Sequence, residues 1–279
     1  SQPGRLGMSG AVERIVVALD AASESRAAIA TAARLAARWK AHLHGVFVED
    51  DDLIRLAHLP FARQVSIGFG AQSLDLQQAE RHMRVFAERA RQDLAASAAR
   101  HGVEWSFEIM HPDTAGGAPQ WTGDFFVACT TTRPIAGHFR VECRWWSAIE
   151  SGPSTRLLAH HAGVPDGAVA ALLRGHGKSS ERLLAAALSL AEANETRLTV
   201  ICPPDLANAP GFKAWLDKRL AGYALETALE LVPDEATLLR CITGLHCRLV
   251  AVEAGADEAR PERLRELVAK IACDVLVVR

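Results

Sequence analysis

The chain has 279 residues, 49% hydrophobic and only 6% aromatic, with 31 basic and 33 acidic side chains and a formal net charge of −2. That balance leaves no polybasic footprint for nucleic acid or an anionic lipid surface, and no apolar run approaches the roughly 18 residues needed to cross a bilayer. No secretory leader is evident, and the six cysteines, none in a CxxC pair, read as reduced thiols of a cytoplasmic protein.

Residues 1–12 read as an expression remnant ("SQPGRLG" before Met8) and an N-terminal tail, and are set aside. "RIVVALD" then predicts a short apolar strand over 15–19. The polar loop "AASES" leads into an alanine-rich helix whose Ala28, Ile29, Ala32, Leu35, Ala36 and Trp39 share one face at the 3.6-residue period. A second strand over 42–48 runs on to Asp50. Its His42 and His44 alternate and so face the same way, a pair to test for metal, although partly exposed strand histidines are the simpler reading. Segment 51–70 carries Leu53, Ile54, Leu56, Leu59, Pro60 and Phe61 and reads as a short helix sealing the core, or else a lid or partner surface. A long helix over about 75–100 precedes a strand over 103–110. "HPDTAGGAPQWTG" follows, too rich in glycine and proline for a helix, so a loop is expected. A strand over 124–129, a helical face of Phe139, Cys143, Trp146 and Ile149, a Gly-Pro break and a strand over 155–159 complete the first half.

The chain then repeats itself at a spacing of about 155 residues. The linker is "GVPDG", residues 163–167. A strand over 168–173 opens the second copy, and the loop "RGHGKSS" leads into a helix with Leu184, Ala187, Leu188 and Ala191 on one face. A strand over 197–202 ends near Asp205, as its counterpart ends at Asp50. A shorter helix over about 211–223 and strands over 225–232 and 248–252 follow. Leu264, Leu267, Val268 and Ile271 mark a last helix before a strand over 274–278. The domains are therefore 13–162 and 168–279. Five strands alternating with helices in each call for a parallel sheet with helices on both faces.

"IVVALD" at 15–20 leading into Ser23-Glu24-Ser25-Arg26, "HGVFVED" at 44–50 and the terminal "CDVLVVR" resemble the universal stress protein family in its tandem, two-domain form. The segment "DDLIRLAHLPFARQV" is similar to one found in a bacterial branch of that family. The likeness runs over essentially 13–279. It implies two Rossmann-like domains of the adenine-nucleotide-hydrolase-like type, each a five-stranded parallel sheet of order 3-2-1-4-5. It also implies pairing of the two domains about a pseudo-twofold axis through their last strands, with a homodimer left open. Many family members bind ATP at the carboxyl ends of the strands, where open α/β sheets hold their ligands.

The resemblance places a ligand in the first domain near Asp20, Val48, Arg133 and Gly137. The family's phosphate motif, a Gly-x-x-Gly followed by a further glycine with Ser or Thr, is nevertheless missing twice. "TTTRPIAGHFRVECRWWSAIESG" offers only Gly137 before its final residues, and "EAGADEARPERL" offers Gly255 alone, flanked by Glu253, Asp257 and Glu258. Those carboxylates repel a triphosphate. Asp20 matches the family's acid after the first strand, but its counterpart is Gly175.

The loop 174–180 looks like a phosphate cradle in its own right. A P-loop needs glycine five residues before Gly177, where Leu172 stands. Gly175-x-Gly177-x-x-Ser180 approximates a dinucleotide fingerprint, with Asp205 after the next strand, yet the repeat explains that spacing equally well. Gly175, Gly177, Lys178 and Ser179 at a helix start are candidates for a small anion. The alternative is a glycine turn with serine capping the helix. No nucleophile elbow occurs and no base–nucleophile pair can be assembled. The expectation is a cytoplasmic, universal-stress-like binding and regulatory module of the stress response, without catalytic residues, bound metal or tightly held ATP. A nucleotide-hydrolysing enzyme of the same fold and a ligand-free scaffold are the alternatives, with a small molecule or a protein as partner.

Overall fold

The computed structural model describes residues 12–19, 25–48, 63–66, 70–73, 76–110, 124–130, 155–160, 167–253, 271 and 273–278. The apolar runs become strands buried on both faces. In β1 (Arg14–Leu19) every residue from Ile15 onward is buried. Ile15, Val17 and Leu19 join one core, and Val16 and Ala18 join another on the opposite side of the sheet. An unbroken apolar strand, rather than an alternating one, is what cover on both faces requires.

The first half continues with α1 (Ser25–Trp39), β2 (His42–Val48), β3 (Arg63–Ser66), β4 (Gly70–Ser73), α2 (Leu76–His101), β5 (Trp105–Met110), β6 (Phe125–Thr130) and β7 (Thr155–His160). The second half has β8 (Val169–Leu172), α3 (Lys178–Ala193), β9 (Leu198–Cys202), α4 (Pro204–Ala207), α5 (Phe212–Leu220), β10 (Thr227–Leu231), α6 (Glu235–Gly244), β11 (Leu249–Glu253) and β12 (Asp274–Val278).

Ten strands form one sheet in the order β10-β9-β8-β11-β12-β7-β6-β1-β2-β5. Counting the five main strands of each half along the chain, both halves read 3-2-1-4-5. Neighbours within a half are parallel. At the centre β12 runs antiparallel to β7, with Val275 opposite Leu158 and Val277 opposite Arg156.

Helices α1, α2, α3 and α5 lie on one face. Their core residues include Ala32, Leu35, Leu94, Leu184, Leu188 and Phe212. Leu238 and Ile242 of α6 pack on the other face. Among the α1 residues, Ala28, Ala32, Ala33 and Ala36 are fully buried, and their small side chains let the helix lie close to the strands. Charge also enters the seam between the halves. Burial and Arg248 hold the Arg34 guanidinium below the usual arginine range, with Asp274 opposing them.

Two features depart from the sequence reading. Within 51–70 the described residues are strand, not helix: β3 pairs antiparallel with β4, Val65 opposite Ala71. The β-branched Val65 and Ile67 with Gly68 and Gly70 account for it, because that spacing favours a hairpin over a helix. Before the expected helix of the second half stands an extra turn, α4, entered through Pro203 with Pro204 at its first position, where a missing amide hydrogen is harmless. The segment 51–62 and the helices expected over 139–149 and before Ile271 lie outside the described residues.

Candidate functional site

The carboxyl end of β8 is the switch point of the second half, because β9 lies on one side of β8 and β11 on the other. Leu173 is buried, and the chain then turns through Arg174–Gly177 into α3. Gly177 is the residue before the helix, with φ −81° and ψ −172° and no side-chain cap. Neither it nor Gly175 has a positive φ. A β-carbon at Gly177 would meet nothing within 4 Å, and one at Gly175 would meet only the Ser180 hydroxyl at 3.7 Å. The two glycines are thus not demanded by the backbone.

Lys178 is exposed and Ser179 half-buried, one turn of helix holding them beside Gly177. Ser180 is buried, and its hydroxyl donates to Oε2 of Glu253 at 3.1 Å. Glu253 is the last residue of β11. Gly175 and Gly177 precede α3 and Lys178 and Ser179 open it, and a carboxylate of the same chain already engages the buried hydroxyl next to them. From the other side, the His176 ring lies edge-on to Phe212 at 6.5 Å and tilted over Trp215 at 6.3 Å. Phe212 and Trp215 stack on each other at 5.9 Å. Arg219 of α5 forms an ion pair with Glu181 of α3 at 2.7 Å. Loop, α3 and α5 are tied together by contacts internal to the chain.

In the first half, Val48 ends β2 opposite Met110 and packs half-buried on the same core as Val46. Asp20, Arg133 and Gly137 lie outside the described residues. β1 sits between β2 and β6, so the equivalent switch point of the first half lies at the carboxyl end of β1, at Leu19.

A polar chain on the first half went unread in the sequence. His42 and His44 of β2 stand against Ser106 and Glu108 of β5, His44 directly opposite Ser106 and Val46 opposite Glu108. The Ser106 hydroxyl lies 2.8 Å from His42 Nε2 and 2.7 Å from His44 Nδ1. His44 Nε2 lies 3.3 Å from Glu108 Oε1. The signal was present as two alternations, His-x-His and Ser-x-Glu, but it becomes visible only once the register of β2 against β5 is known. Among the described residues no three histidines, cysteines or carboxylates are grouped to hold a metal ion.

The repeat supplies a comparison. Ile15 pairs with Leu43 and Val169 with Leu198, so His42, His44, Ser106 and Glu108 correspond to Arg197, Thr199, Ala228 and Glu230, and the same register matches position 20 to Arg174 rather than to the expected Gly175. The second copy lacks the chain, and its Thr199 Oγ1 is buried without a hydrogen-bond partner among the described residues.

Set against solved structures, the chain is similar to a universal stress protein from Archaeoglobus fulgidus DSM 4304. That match has 9% identity and a TM-score of 0.60, covering 95% of this chain and 96% of that one. A functionally unknown protein from Pseudomonas aeruginosa PAO1 matches at 14% identity and TM-score 0.59, over 96% and 92% of the two chains. A P. aeruginosa UCBPP-PA14 protein assigned to the universal stress proteins matches at 15% identity and TM-score 0.58, over 96% and 93%. No protein-family model and no curated protein sequence matches. The likeness extends over nearly the whole of each chain, so the fold is that of these universal stress protein structures.

Proposed function

We propose that this chain is a tandem universal stress protein that serves as a binding and regulatory module of the stress response in the cytoplasm, not as an enzyme. The match to whole solved structures of that fold supports the family reading. No helix among the described residues is long and apolar enough to cross a membrane. The observation that carries the mechanistic part is the Ser180–Glu253 contact. A helix start at a switch point is where an α/β sheet receives phosphate. Here a carboxylate sits on the adjacent hydroxyl, and like charge opposes a triphosphate or any smaller anion approaching Gly175, Gly177, Lys178 and Ser179. The second half accordingly holds no nucleotide tightly, and adenosine-type ligands, where bound at all, use the first half near Asp20 and Val48.

Isothermal titration calorimetry with magnesium-ATP tests this. The expected result is no micromolar binding to the intact protein, and a gain in inorganic phosphate affinity in Glu253→Gln. Micromolar ATP affinity that is unchanged by Asp20→Ala overturns the assignment of the halves, and ATP turnover by purified protein overturns the non-enzymatic reading.

A further inference from the structure

We propose that His42, Ser106, His44 and Glu108 form a proton-responsive latch that holds the edge strand β5 to β2 at neutral pH and loosens it in acid. The argument begins with counting hydrogens. A serine hydroxyl has one proton to donate, while a neutral imidazole has one donor and one acceptor nitrogen. With the His44 proton on Nε2, facing Glu108, its Nδ1 accepts from the Ser106 hydroxyl. The Ser106 oxygen then accepts from the His42 Nε2–H. Every member is satisfied with both rings neutral, given the short contacts on Ser106 and the carboxylate on the far side of His44.

One added proton can be accommodated. On His44 it strengthens the pairing with Glu108, and the Ser106 hydroxyl turns its hydrogen toward His42, whose own proton moves to Nδ1. A second proton cannot. Two N–H groups would then point at one oxygen, the serine hydrogen would lose its acceptor, and two cations would share one hydroxyl.

The charges around the pair act in the same direction. Burial first, then Arg14 of β1 and His44 of β2, disfavours the charged form of His42, with Glu104 at the entrance to β5 opposing them. The folded-state value of His42 is thus below the ordinary imidazole value of about 6.5. A histidine so depressed contributes stability that is present above that ordinary value and is lost as pH falls through the lowered one. The strand that bears the consequence is an edge. Among the described residues β5 has β2 as its one neighbour in the sheet, so Ser106 and Glu108 sit on an edge strand. The opposite edge, β10, carries Ala228 and Glu230 at the matching positions and has no such chain.

Hydrogen exchange on the full-length protein tests the proposal, read by mass spectrometry at pH 7.5 and 5.0 and corrected for intrinsic rates. Peptides covering β5 are expected to exchange several-fold faster in acid, while those covering β10 stay level. His42→Gln keeps a donor toward Ser106 without a titrating ring, and flattens the pH dependence of β5. Equal responses of β5 and β10, or an unchanged pH response in His42→Gln, overturn the latch. Should a variant not fold, a proton NMR titration of the wild-type imidazoles decides. His42 is expected to titrate below an ordinary imidazole, and a His42 that titrates at or above the ordinary value overturns the latch.

Discussion

The Ser180 hydroxyl and the Glu253 carboxylate join the first turn of α3 to the last residue of β11 across the switch point of the second half. This bond anchors the start of the helix to the end of the strand. Ser180→Ala removes the hydroxyl and leaves Glu253, which is half-exposed, to be rehydrated by solvent. A loss of about 1 kcal/mol is expected, measured as a lower urea midpoint with an unchanged slope. An unchanged midpoint would show that water replaces the hydroxyl freely.

The glycines of the conspicuous loop matter less to folding than an inconspicuous one in the linker. A β-carbon on Gly167 would lie 2.1 Å from the His246 carbonyl oxygen and 2.5 Å from the Arg248 amide nitrogen, both backbone atoms that cannot step aside. Gly167→Ala is expected to destabilise by about 3 kcal/mol or more, whereas Gly177→Ala, built into open space, costs less than about 1 kcal/mol. Chemical denaturation of the two variants side by side decides. Equal effects would refute the steric argument.

Thr199 presents the opposite situation. Its hydroxyl is buried in β9 with no partner among the described residues, and an unmet polar group in an apolar setting is costly. Thr199→Val keeps the shape and removes the hydroxyl, so stability is expected to rise by about 1 kcal/mol. A fall in the thermal midpoint would mean that the hydroxyl is satisfied in solution.

The thiols divide by burial. Burial, with Cys241 adding to it, pushes the Cys247 thiol up to about 12, and burial pushes Cys273 higher still. Both are expected to resist iodoacetamide at pH 8 in the native protein and to react once urea is added, because the thiolate is the nucleophile. Cys241 is half-exposed and should react first of the three. Peptide mapping after short labelling reads the order, and rapid native labelling of Cys273 would contradict it.

The fold was legible because parallel strands write themselves as uninterrupted apolar runs. Residues 15–19 and 274–278 needed no knowledge of their neighbours to be read as strands, and the repeat then fixed the rest. What escaped was whatever depends on pairing between distant segments. Ser106 is an ordinary strand serine until β5 is set against β2, and Glu253 was read as a charge in a loop until β11 was placed beside β8. The hairpin of β3 and β4 was hidden for a related reason: Leu53, Ile54 and Leu56 dominate the pattern just before it. Of the ligand candidates, Val48 and the four residues of the glycine loop fall on described structure, whereas Asp20, Arg133 and Gly137 do not.

The antiparallel pairing of β7 with β12 has one more effect. Strands of the two halves run in opposite directions, so their carboxyl ends open on opposite margins of the same sheet. A small molecule seated at one margin cannot touch the other, and any influence between them must travel through the strands. Joining the halves in a single chain also turns a meeting of two molecules into an event within one. The linker sets an effective concentration on the order of millimolar, so the central ladder persists at dilutions where separate copies would drift apart.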